Sequence, residues 1–145
     1  MAVQPKPTHF GGPVQEGAGG VKTIGAATTL TDVDYCKRCV LTTSGTDGAA
    51  VTLPAPSAGK WFTFVVGAAF ATTDWTIVTK DNATIINGNV VVAGAHVAGA
   101  AEDTISFVAT AESVGDWVHI WSDGTSWFVS GSGVTTGSIT LTDAA

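Results

Sequence analysis

Residues 117–129 constrain the chain most: Trp117-Val118-His119-Ile120-Trp121, then Ser122-Asp123-Gly124-Thr125, then Ser126-Trp127-Phe128-Val129. Asp-Gly supplies the positive φ angles that tight turns between strands require, which predicts a β-hairpin. Successive strand side chains point to opposite faces, so Val118 and Ile120 share one face while Trp117, His119 and Trp121 share the other. Both faces are apolar or aromatic. Residues 61–66 repeat the arrangement, with Phe62, Phe64 and Val66 opposite Trp61, Thr63 and Val65. A strand with one wet face alternates polar and apolar residues. These strands therefore need a core on one side and a further layer, or another subunit, on the other.

From about Ala26 the chain runs in short β-prone pieces divided by Gly, Pro, Asn, Asp and Ser. They predict strands at 28–31, 35–43, 50–53, 61–66, 75–79, 84–92, 104–109, 116–121, 126–130 and 138–141. The spacing predicts an all-β fold, a β-sandwich or jelly-roll-like domain of about nine to ten short strands. The Ala-rich piece 92–101 reads as a loop, because Gly94 and Gly99 break it. Upstream, Pro5, Pro7 and Pro13 lie among glycines with no periodicity, predicting an extended N-terminal arm over 1–23 ahead of a domain over 24–145. Val3, His9, Phe10 and Val14 are the arm's candidate contacts with a partner on which it orders.

Charge narrows the partners. The net charge is -6 and only Lys37 and Arg38 are adjacent bases, so the electrostatic footprint of nucleic-acid binding is missing. Charged residues make up 12% of the 145, against about 25% in an ordinary domain. Gly, Ala, Ser and Thr fill the difference and leave a surface poorly protected against association, which predicts that neighbouring chains cover much of it. The N-terminal stretch lacks the basic start and apolar run of a signal peptide, and the apolar stretches 61–70 and 90–101 are too short or too broken to span a bilayer. The expectation is a chain made in a cytoplasm, with no membrane partner.

No residue set predicts catalysis, a cofactor or a metal. Cys36-x-x-Cys39 is a single thiol pair, and structural zinc would need two more ligands, for which His96 and His119 are the candidates. On a strand, residues three apart face opposite sides about 10 Å apart, too far for a disulfide without a bulge. Ser57 and Lys60 have the Ser-x-x-Lys spacing of penicillin-recognising enzymes but sit in a Pro/Gly turn, without the helix start or partner motifs that chemistry needs. Asp32 and Asp34 supply too few oxygens for a calcium cage. Trp117, His119 and Trp121 are the remaining candidates, as an oligomer interface or, alternatively, a surface on which sugar rings stack.

Three stretches resemble a module of tailed-bacteriophage virion proteins: Thr52-Leu53-Pro54-Ala55-Pro56-Ser57-Ala58-Gly59-Lys60-Trp61-Phe62-Thr63-Phe64, then Thr84-Ile85-Ile86-Asn87-Gly88, then 115–129 with its Asp123-Gly124-Thr125-Ser126-Trp127. The likeness is to capsid decoration (cement) and head fibre proteins. It implies a β-sandwich protomer, usually trimeric, bound to the major capsid protein on the surface of the assembled head, and so a structural role in the virion without enzymatic activity. The arm would then extend over a neighbouring capsid subunit. The alternative within the same resemblance is a fibre or tail-associated module that binds a carbohydrate receptor through the tryptophan face.

Overall fold

The Trp117 hairpin lies in the middle of a seven-stranded sheet that packs against a second sheet of five strands. The computed structural model describes residues 20–35, 37–43 and 47–144. In chain order the strands are β1 (Val21–Ile24), β2 (Thr28–Thr29), β3 (Lys37–Leu41), β4 (Ala50–Thr52), β5 (Trp61–Val66), β6 (Trp75–Val78), β7 (Ile86–Val92), β8 (Ala95–Glu102), β9 (Thr104–Phe107), β10 (Trp117–Ser122), β11 (Trp127–Gly133) and β12 (Ile139–Thr142). The large sheet runs β1-β3-β5-β10-β11-β7-β8 and the small one β12-β9-β6-β4-β2. The fold is all-β and sandwich-like, as the strand pattern predicts, with more strands than the pattern resolves.

The first six strands alternate between the two sheets. β1, β3 and β5 pair parallel in one, while β2, β4 and β6 pair parallel in the other. The chain thus coils from sheet to sheet before antiparallel pairing enters through β5–β10, β10–β11, β7–β8, β6–β9 and β9–β12, with β11 and β7 joined by one further parallel ladder. An antiparallel jelly roll would not have this first half. Between the sheets lies one core, drawn from the Phe62, Val118 and Trp127 faces of the large sheet and from Trp75, Ile77 and Phe107 of the small one. Phe62 is its aromatic centre, with ring centroids 6.0 Å from both Phe64 and Trp127 and 5.5 Å from Tyr35.

Two expectations change. Residues 92–101 are not a loop: Ala93 and Gly94, with φ of 50° and 80°, make a two-residue turn, and β8 pairs back along β7. Both central residues at positive φ define the type I′ geometry that matches the twist of hairpin strands. Gly99, which reads as a strand breaker, faces the small sheet so closely that a Cβ would sit 2.9 Å from Leu141 Cδ1. A glycine there answers packing, not loop formation. Strand β1 also begins at Val21, inside the expected arm, and an ion pair fastens it. Lys22 Nζ lies 2.7 Å from Asp34 Oδ1, while the other carboxylate oxygen of Asp34 accepts from Thr31 N at 2.9 Å. Burial pushes the Asp34 carboxyl up, but the Lys22 ammonium and the Thr31 amide more than offset this and hold it below its ordinary value. The remaining arm candidates Val3, His9, Phe10 and Val14 lie outside the described residues.

Candidate functional site

In β5 and β10, Phe62, Phe64, Val118 and Ile120 are wholly buried, which leaves the alternate side chains on the outer face. Partnered residues share a face, so the ladders lay out rows across the sheet. Trp61, Trp121, Phe128 and Asn87 stand side by side; next come Thr63, His119, Ser130 and Asn89; then Val65, Trp117, Ser132 and Val91. Neighbours within a row are about 4.8 Å apart at the backbone. Trp117 remains 39% exposed and Trp121 46% exposed, while Trp61, His119 and Phe128 are half-buried among their neighbours.

Ring contacts organise the surface. Trp121 stacks on Phe128 with centroids 4.7 Å apart and planes 27° from parallel. Trp61 tilts against His119 at 5.6 Å, and Thr63 Oγ1 lies 2.9 Å from His119 Nδ1. Burial lowers the His119 pKa, so the imidazole is neutral at pH 7 and adds no charge to the face. The result is a flat aromatic strip flanked by hydroxyl and amide groups. Arg38, level with Thr63 on β3, is the one charge on these rows among the described residues.

The turn at the end of the hairpin is held by Asp123. Its Oδ1 accepts from Thr125 N and Ser126 N, each at 2.8 Å, and from Thr125 Oγ1 at 2.9 Å. Those backbone donors pull the Asp123 pKa down. At the opposite end the buried Asp116 carboxylate accepts from Ser113 N and Val134 N, both at 3.0 Å, tying the strand entrance to the exit of β11. Turn chemistry at both ends therefore fixes the tryptophans in register.

Trp117, His119 and Trp121 are brought together as the alternation predicts. Trp61, Thr63 and Phe128 belong to the same site, which alternation within β10 does not reveal. The signal available was the same two-sided pattern in 61–66, but pairing of β5 beside β10 is not encoded in either strand alone.

Other candidates are dispersed. Cys39 is fully buried on the core side of β3, and burial pushes its thiol up to about 12, which makes it unreactive. Cys36 lies outside the described residues. His119 sits on the opposite face of the sheet from Cys39, and His96 is on β8 at the far edge, so the thiol and the two imidazoles do not converge. Asp32 borders an open groove of about 530 Å³ with Leu30, Leu53, Pro54 and Lys80. Beside it, Lys60 Nζ rests 5.1 Å above the Tyr35 ring, and the Tyr35 hydroxyl donates to Ala55 O at 2.8 Å. Ser57 shares that turn as a backbone acceptor for Lys60 N at 3.1 Å, a structural role. No group of three or more His, Cys, Asp or Glu side chains is placed to hold a metal among the described residues.

Comparison with protein-family profiles, characterised proteins and solved structures finds no match to this chain.

Proposed function

We propose that the chain is a structural virion protein, a capsid decoration protein that binds the assembled phage head as an oligomer and stabilises it. The observation that carries this reading is the outer face of the large sheet, where Trp61, Trp117, Trp121 and Phe128 gather on three adjacent strands and two of the indoles stay substantially wet. An exposed aromatic patch rimmed by polar groups is the anatomy of a protein interface, with aromatic anchors at its centre. The partner is the major capsid protein. Binding only the assembled lattice stabilises it by mass action, and an oligomer multiplies weak contacts through high effective concentration. No catalytic step or cofactor enters this role.

Co-sedimentation of the full chain with expanded or DNA-filled capsids tests it. Trp121→Ala should weaken capsid binding at least tenfold, as an interface anchor does, while costing the free protein only about 1 kcal/mol because the ring is half in water. Failure of the unaltered chain to sediment with capsids would remove the decoration role. One observation favours a second reading: the flat Trp121–Phe128 stack beside Asn87 and Ser130 is also a platform for a sugar ring. A fibre or tail module would show glycan-dependent indole fluorescence that Trp121→Ala abolishes, without capsid binding.

A further inference from the structure

Four strands end the two sheets, and three of them are short: β1 and β12 have four residues each and β2 has two. The fourth, β8, has eight. Native sheets blunt their edges by shortness, lysine, proline or bulges, because an open edge is a template for another strand. β8 has neither Lys nor Pro, its one acidic residue is Glu102 at its end, and its irregularity is confined to the last residues beside Ile86/Asn87. Among the described residues it pairs with β7 alone.

The turn decides which main-chain groups are open. A two-residue type I′ turn at Ala93-Gly94 makes Val92 and Ala95 a hydrogen-bonded pair. Alternation then bonds Val90 with Val97 and Gly88 with Gly99, and aims the N–H and C=O groups of His96, Ala98 and Ala100 away from β7. The outward N–H of Ala100 is met at 3.4 Å by Glu102 Oε1, reaching back along its own strand. Among the described residues no main-chain group meets the outward N–H and C=O of His96 and Ala98, and both residues are exposed.

We propose that this edge joins two copies of the chain, β8 pairing antiparallel with β8 of the second copy about a two-fold axis at Ala98. In that register Ala98 meets its own counterpart and His96 meets Ala100. Ala98 and Ala100 are exposed and small, so the backbones approach without obstruction. Glu102 falls level with the Gly94 turn of the other copy, so no like charges oppose each other. The axis stands normal to the sheet, which joins two seven-stranded sheets edge to edge with both Trp121 surfaces on the same side. Bivalent presentation to a capsid rests on the decoration reading; the pairing itself does not.

Charge reversal at the axis tests the pairing in the full chain by sedimentation velocity at micromolar protein. The unaltered chain should be a dimer or an even-numbered assembly. Ala98→Lys opposes two ammonium groups directly and Ala98→Glu two carboxylates, which disfavours the pair, so each variant alone should dissociate at least tenfold more readily. Mixing the two should restore a mixed dimer, because opposite charges now face. Ala98 is exposed, and an unchanged circular dichroism spectrum with a cooperative unfolding transition in each variant would show that folding is intact, any fall in midpoint tracking the lost association. A monomeric unaltered chain, a trimer that survives Ala98→Lys, or a mixture that fails to reassociate would overturn the proposal. Capsid co-sedimentation of the same variants reports separately: capsid binding by a monomeric unaltered chain would retain the decoration role while removing the β8 pairing.

Discussion

Gly88→Ala is expected to destabilise the domain by about 3–5 kcal/mol, enough to unfold much of the population of a marginally stable protein. Gly88 sits in β7 with φ of +131°, a conformation that side chains rarely adopt, and a Cβ built there would lie 2.2 Å from Val129 O on the adjacent strand. Strain at such an angle costs about 1–3 kcal/mol, and forcing overlap with a neighbouring backbone costs a similar amount again. Gly94 provides the control within the same hairpin. It too has positive φ, at 80°, but nothing lies within 4 Å of its added Cβ. Gly94→Ala should therefore cost only about 1 kcal/mol, the strain alone. Urea midpoints of the two variants decide the matter. Equal midpoints would mean that the strands spread apart freely and that the close approach of β7 to β11 is not a constraint.

Trp127→Ala should cost about 3–5 kcal/mol, the range for truncating a large core aromatic. Its side chain is wholly buried against Phe62, on the core face of the strand whose neighbour Phe128 points outward. The contrast with Trp121 is the informative part. Trp121 and Trp127 belong to one hairpin and flank one turn, yet truncation of the first should spare the fold and impair binding, whereas truncation of the second should strongly destabilise the fold. Thermal unfolding of both variants, read beside capsid binding, would show the reverse order if the core lay on the other face of the large sheet.

Much of this architecture is legible in the residues. Strand β5 occupies the positions where Trp61, Phe62, Thr63 and Phe64 alternate, and the β10–β11 hairpin forms where expected, but through a four-residue loop 123–126 in which Gly124 takes the positive φ and Asp123 instead caps the turn with its carboxylate. Strand β8 is hidden because Ala and Gly are weak strand formers; its place comes from the Ala93-Gly94 turn and from β7 beside it. The parallel pairing of β1, β3 and β5 is equally invisible, since alternation says which face a residue takes and nothing about which strand lies alongside. For the same reason the alternation identifies Trp117, His119 and Trp121 as companions but does not add Trp61 and Phe128. Both faces of β10 are apolar, so choosing the core side requires the second sheet, and the small sheet settles it by lying over Val118 and Ile120.

The coiling path of the first six strands has a kinetic consequence. No strand among them pairs with its successor: β1 closes on β3 across the excursion to β2, and Arg38 meets Thr63 only after the chain has passed through β4. Each such closure loses loop entropy before any ladder compensates for it. The hairpins β7–β8 and β10–β11 carry no comparable delay, and β10 supplies the edge on which β5, then β3, then β1 can add. Refolding is thus expected to run against the direction of synthesis, the C-terminal half forming a template and the earliest residues of the domain locking last. Pulse-labelled amide exchange would read this as protection of Ile120 and Val129 ahead of Lys22 and Ile24, whose main-chain groups face β3; simultaneous protection would mean that the coils and hairpins form in one step.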